Sequence, residues 1–224
     1  MPGKSCYSQK KGASHETAKH YHNRSIWIPG PGEFRVRPGL QANKFQVSST
    51  TFENNSILPI IVINNVIVNG SNACSINGAT GGNESPELSW TNVPRGTRSF
   101  VVVAYDVTGA FTHWGMYNIS GDADGLPENA GVAGSTFGTQ IPNDFGIGNK
   151  YAKYDGPCPP SHYPPNVHQY VFTVYALDEE LQLPSSANFP ANSETLYQAL
   201  IKAGEDGHIL ASASIVGLYS TTPS

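Results

Sequence analysis

Charged side chains are scarce in this chain. Asp, Glu, Lys and Arg make up 13% of its 224 residues, about half of the ~25% found in an ordinary globular domain. Together with 23 Gly and 17 Pro, that shortage points to a turn-rich, mostly β protein. Long hydrophobic runs are missing too. The nearest approach, residues 57–68, is broken by Pro59, Asn64 and Asn65, and it falls short of the ~18 residues a spanning helix needs. It reads as a buried strand pair with an Asn-Asn turn. Only three cysteines occur, none in C-x-x-C spacing, so neither zinc nor any other metal or cofactor is expected. There is no G-x-S-x-G element, and Ser85-Pro86 reads as a turn, which leaves serine-nucleophile catalysis without support. The apolar h-region of a secretory leader is lacking, as are internal repeats and low-complexity tracts.

What charge there is lies unevenly. Residues 1–44 hold 8 of the 13 Lys and Arg with only Glu16 and Glu33 as acids, leaving 5 basic and 15 acidic groups, a formal −10, for residues 45–224. So acidic a body repels phosphate backbones and excludes nucleic-acid binding. Residues 1–44 show no sustained period, carry the Pro29-Gly30-Pro31-Gly32 breaker, and read as a disordered or vector-derived extension. His15, His20 and His22 lie in it, and histidines in such a segment are ordinary rather than metal-binding. The domain proper is expected over 45–224.

Within it, alternation and apolar runs predict strands near 45–52, 57–68, 87–90, 99–106, 113–119, 168–177 and 208–218. One helix is predicted, capped by Asn192 or Ser193, with Glu194 in its first turn, Leu196, Leu200 and Ile201 on one face and Gly204 as its stop. The long Gly/Pro-rich stretch 120–167 is of the kind that carries function.

The most informative stretch is Tyr154-Asp155-Gly156-Pro157-Cys158-Pro159-Pro160, followed by His168-Gln169-Tyr170. Proline fixes φ and removes donors, so Pro157–Pro160 forms a stiff exposed turn that delivers a His and a Tyr to the mouth of a strand. Gly81-Gly82-Asn83-Glu84-Ser85-Pro86-Glu87-Leu88-Ser89-Trp90 precedes it. Val93 to Phe100, Tyr105-Asp106, His113-Trp114, Tyr117-Asn118-Ile119, Asn143-Asp144-Phe145-Gly146 and Gly207 to Ala213 complete an ordered series. These elements, in this order, resemble the phosphatidylethanolamine-binding protein family, and within it the bacterial branch called YbhB/YbcL-like or Raf-kinase-inhibitor-like. The likeness begins near Phe45-Gln46-Val47.

The resemblance implies a mostly β fold with a large central antiparallel sheet packed on a smaller one and a few peripheral helices. It implies a small anion site built from Asp106, His113, His168 and Tyr170, with Cys158, Pro159 and Pro160 as its rim and Asp144 as a further candidate. Two imidazoles, a phenol and a carboxylate supply donors for an oxyanion and a partner to set one tautomer. Trp114 is expected in the core, His162 in solvent, and His208 outside the site with no partner in view. Two departures stand out. Asp106-Val107-Thr108-Gly109 replaces the family's longer D-P-D-x-P loop, and Gln169 stands where Arg is common, removing a cation from the rim.

Secreted members of that branch often carry Cys at both positions, so the resemblance implies a Cys74–Cys158 disulfide with Cys6 left over. The bridge suggests a periplasmic or secreted protein, with a cytoplasmic home as the alternative. The expected function is a non-enzymatic binding protein for phosphate or a phospholipid head group, regulatory or inhibitory towards a protein partner such as a kinase or protease. A protease-inhibitor-like or host-interaction protein with a vestigial pocket is the alternative, and a hydrolase or lyase using His113 and His168 a more distant one.

Overall fold

The computed structural model describes residues 43–222, apart from 147, 163, 185 and 187–189. The extension expected over 1–44 lies outside the described residues except for Asn43 and Lys44.

Eleven strands run in chain order among the described residues. They are β1 (Gln46–Ser48), β2 (Ser56–Ile57), β3 (Ile67–Val68), β4 (Ser71–Asn72), β5 (Leu88–Thr91), β6 (Ser99–Asp106), β7 (Phe111–Ser120), β8 (Gly125–Leu126), β9 (Thr139–Gln140), β10 (His168–Leu177) and β11 (Ile209–Tyr219). A six-stranded sheet has the order β2-β11-β10-β6-β7-β9, a three-stranded sheet the order β1-β5-β8, and β3-β4 form a small ribbon. Pairing is antiparallel except at one edge, where β2 runs parallel to β11. One α-helix, α1 (Ser193–Glu205), is described.

Burial explains why β6 reads as an unbroken apolar run. Phe100, Val102 and Ala104 face a core shared with Trp114, Phe172 and, from the smaller sheet, Leu88 and Trp90. Val101 and Val103 face the opposite way, against Leu196, Leu200 and Ala203 of α1. A central strand covered on both faces has no polar side to alternate. By contrast β10 keeps period 2, with His168, Tyr170, Phe172, Val174 and Ala176 all buried. That alternation sends His168 and Tyr170 to the same face.

Residues 57–68 are not the buried strand pair the sequence suggests. Pro59 starts a 3-10 turn, Ile60–Val62, while Ile57, Ile60, Val66, Ile67 and Val68 are exposed. The backbone carbonyls of Ile60, Ile61 and Ile63 accept from Gly82, Glu84 and Asn83 instead of from a neighbouring strand. This contact accounts for the paired glycines. A Cβ on Gly82 or on Gly81 would stand 2.3 Å from the carbonyl oxygen of Ile61 or Ile63 respectively, closer than any real contact.

The helix also departs from expectation at its C-terminal half. Asn192 is the cap, accepting from the Thr195 N–H, while the Thr195 hydroxyl accepts from the Asn192 N–H. Gly204, expected as the stop, lies inside α1, and the left-handed residue after it is Gly207, at φ 82°. Ile201 is exposed and Ala203 is buried in its place. At ~100° per residue, position 203 returns to the azimuth of Leu196, whereas 201 lies well off it.

Candidate functional site

The site grows from the end of β6. Asp106 closes the turn to β7, its Oδ1 accepting from the backbone N–H groups of Thr108 and Gly109, both at 2.9 Å. Side-chain capping of its own turn is what aspartate does well, and it lets the short loop do without the prolines of the longer version. The other oxygen, Oδ2, accepts from His168 Nδ1 at 2.6 Å. Since β10 pairs with β6 so that Tyr170 lies opposite Asp106, the sheet register brings carboxylate, imidazole and phenol together. Gly109 leaves room for them, because a Cβ there would sit 2.9 Å from Asp106 Oδ2.

His113 arrives by a different device. Ala104 pairs with Trp114 and Tyr105 with Thr112, so His113 is the extra residue of a β-bulge in β7. A bulge re-aims the side chain it carries, here onto the edge of Tyr170, with ring centroids 5.2 Å apart. Trp114, its neighbour, is fully buried in the core. His113 Nδ1 lies 2.7 Å from the carbonyl oxygen of Asp155. A carbonyl only accepts, so Nδ1 carries the proton and Nε2 of the neutral ring carries the lone pair.

Asp155 is a hub that the sequence does not advertise. Its N–H donates to the carbonyl of His113, so the two residues are tied in both directions. Its carboxylate accepts from Asn83 Nδ2 at 2.9 Å, from Asn143 Nδ2 at 2.8 Å and from the Lys153 ammonium. Asn83 Oδ1 in turn accepts from the Gly156 N–H. The hub thus joins the 81–84, 143–145 and 153–158 loops. Beyond it, Cys158 is bonded to Cys74 in a disulfide with Cα atoms 4.3 Å apart.

These pieces enclose a cavity of about 310 Å³. Asp106, His113, His168, Tyr170, Cys158, Pro159 and Pro160 all line it. Thr108, Gly109, Phe111, Phe145, Pro164 and Pro165, which sequence reasoning did not single out, line it as well. Asp144 does not. Its carboxylate accepts from the Thr112 N–H and the Ser193 hydroxyl, and its neighbour Phe145 forms the wall, 5.7 Å from the His113 ring centre. The charged residue drew attention within that element, but the aromatic one faces the cavity. A larger cavity, of about 780 Å³, opens beside Asp144 and the start of α1. It holds neither imidazole, so chemistry favours the smaller one. His162 is exposed, and His208 does have a partner, Asp178 Oδ1 at 2.9 Å from its Nδ1.

Electrostatically the pocket is divided. Burial pushes the His113 pKa below its ordinary 6.5, against the opposing pull of the Asp155 carbonyl and of the Asp106, Asp144 and Asp155 charges. The ring is therefore neutral at pH 7. Burial, reinforced by the Asp106 charge, raises the Tyr170 pKa far above 10, so its hydroxyl keeps its proton. That hydroxyl is buried and has no hydrogen-bond partner among the described residues. Such a group costs about 1–3 kcal/mol to leave unsatisfied.

A pH dependence of stability follows from His113. Below about pH 6.5 the unfolded chain takes up a proton that the buried ring resists, so stability declines as pH falls from there towards the lowered folded pKa. Thermal midpoints measured at about pH 7.5 and 5.5 should show a smaller decline for His113→Gln than for the unsubstituted protein. A midpoint that rises on acidification would contradict the assignment.

The sequence from residue 48 to 220 matches the family model described as phosphatidylethanolamine-binding protein. The UPF0098 proteins YbcL and YbhB of Escherichia coli are each 37% identical, over 63% and 64% of this chain and 74% and 85% of their own. The solved structure of Escherichia coli YbcL, described as a new member of the mammalian PEBP family, superposes with a TM-score of 0.59 at 30% identity, covering 79% of this chain and 98% of that one. A phosphatidylethanolamine-binding protein homologue from Chlamydia trachomatis gives 0.57 at 29% identity, covering 80% and 98%.

Proposed function

The chain belongs to the phosphatidylethanolamine-binding protein family, and from that premise we propose that it is a binding protein, not an enzyme. Its cavity takes a small anion or a phosphorylated head group, and occupancy regulates or inhibits a protein partner. The observation that carries this reading is the Tyr170 hydroxyl, a buried donor with no partner among the described residues, on a side chain that lines a cavity beside two imidazoles. A ligand oxygen would satisfy it. Protonated His168 would add a second donor from Nε2, since its Nδ1 is committed to Asp106. The sulfur on the cavity wall belongs to a disulfide, so no Cys158 thiolate stands ready as a nucleophile, which favours binding over covalent catalysis. The same disulfide favours an oxidising compartment, periplasmic or extracellular, as the place of work.

Calorimetric titration with inorganic phosphate and with phosphoethanolamine at about pH 5.5 tests the binding site, and a crystal soak locates the anion beside His168. Tyr170→Phe should lower affinity by roughly 10-fold or more, since a hydrogen bond to a charged group contributes about 1.5–3 kcal/mol. No binding of either ligand, or unchanged affinity in the variant, would remove the cavity from consideration.

A further inference from the structure

The polar side chains of the residues that line the cavity differ in kind. Tyr170 offers a proton, and His168 offers one at Nε2 when charged. His113 offers the opposite. Its Nδ1 proton is spent on the Asp155 carbonyl, and its Nε2 makes no hydrogen bond among the described residues. Phe111 and Phe145 flank that ring at 4.9 and 5.7 Å. Other charged or titratable groups around His113 are the Asp106, Asp144 and Asp155 carboxylates, the last paired with the Lys153 ammonium, and His168 and Tyr170. Three acids outnumber the cations there. Among the described residues no Lys or Arg lines the cavity, and the pair of Asp106 with charged His168 sums to zero.

Resting on the anion reading above, we propose that the cavity selects oxyanions that carry one negative charge and still hold a hydroxyl proton. The ligand's bare oxygens accept from Tyr170 and His168, and its O–H donates to His113 Nε2. A phosphomonoester monoanion has this pattern. A phosphodiester, the linkage within a phospholipid head group, has the charge but no O–H, and a phosphate dianion has surplus charge. Binding a dianion with proton uptake at His113 gives the same proton count and obeys the same selection. The preference therefore points to a terminal phosphate, on a lipid, a metabolite or a side chain, rather than to a bridging one.

Methyl phosphate and dimethyl phosphate separate the two chemistries, with affinity measured by calorimetry between about pH 5.5 and 8. Methyl phosphate should bind at least ~10-fold tighter than the diester at the acid end. Above its second pKa, near ~6 for a phosphomonoester, that advantage should shrink by up to ~10-fold per pH unit. In His113→Gln the amide can donate instead, so the ratio should fall to within ~3-fold at about pH 5.5. Equal binding of the two probes by the unsubstituted protein would overturn the selection while leaving the anion site standing. A ratio undiminished in His113→Gln would also overturn it, by tracing the preference to the bulk of the second methyl. If that variant does not fold, the pH series decides, and an advantage constant with pH counts against the proposal. If neither probe binds at any pH, the anion reading fails and the selection with it.

Discussion

Replacing Cys74 and Cys158 together by alanine should lower the thermal midpoint by about 12 °C. The disulfide joins residues 84 positions apart, and a loop of that length restricts the unfolded chain by about 4 kcal/mol in the loop-entropy picture. For a domain of this size each kcal/mol shifts the midpoint by roughly 2–4 °C. The consequence reaches the site, because Cys158 lines the cavity while Cys74 lies in the core beneath it. Freed of its tether, the Pro159–Pro160 rim should order less well, and phosphate affinity should fall with stability. Scanning calorimetry of the double variant, beside the unsubstituted protein with and without reductant, measures the effect. Thiol titration of the denatured, unreduced protein should find one thiol, at Cys6. Three thiols, or a midpoint indifferent to reductant, would dismiss the bridge and the oxidising compartment argued from it.

Asp155→Ala should be the most damaging single change near the site, costing about 3–5 kcal/mol. Removal of one partner from a buried charged network leaves the others unsatisfied, and here the Asn83 and Asn143 amides and the Lys153 ammonium all lose an acceptor. Asn143 is only 2% exposed, so water cannot readily replace the carboxylate. Denaturant unfolding gives the magnitude. Phosphate affinity gives a second readout, since the loops bearing Phe145 and Cys158 and the carbonyl that orients His113 all converge on this residue. A loss below ~1 kcal/mol would mean that the network contributes little. Asp155→Asn should fall between, keeping one acceptor but turning an amide N–H₂ towards donors.

These two residues also mark the limits of what the chain discloses. Cysteines can be counted, and the Cys158 rim lies in a run of prolines whose stiffness is local. Asp155 has no such signal. It looks like any acid before a glycine, and its importance comes from contacts with residues 72, 42 and 12 positions away. The same contrast separates the two histidines. His168 opens a strand legible from the β-branched and aromatic residues of Gln169 to Leu177, and period 2 puts it on the face of Tyr170. His113 owes its direction to a bulge against β6, and a register shift is a property of two strands rather than one.

Local residues suffice for the local elements: β6 as an apolar run, β10 as a buried strand, and α1 with its start at Asn192 or Ser193. Each follows from the propensities and spacing of neighbouring residues. The exposed turn expected over Pro157–Pro160 does not form, since Pro157 and Pro159 are buried and the segment makes no turn. Through ordered motifs the chain also disclosed seven of the residues that line the cavity, and the family it belongs to. Long-range contacts alone set three further outcomes: 57–68 gives its carbonyls to the 81–84 loop, Ala203 rather than Ile201 packs inward, and Phe145 rather than Asp144 walls the pocket. In each case the choice depends on which distant surface meets the segment, and a buried hydrogen bond or contact across tens of residues leaves no periodic trace in the chain.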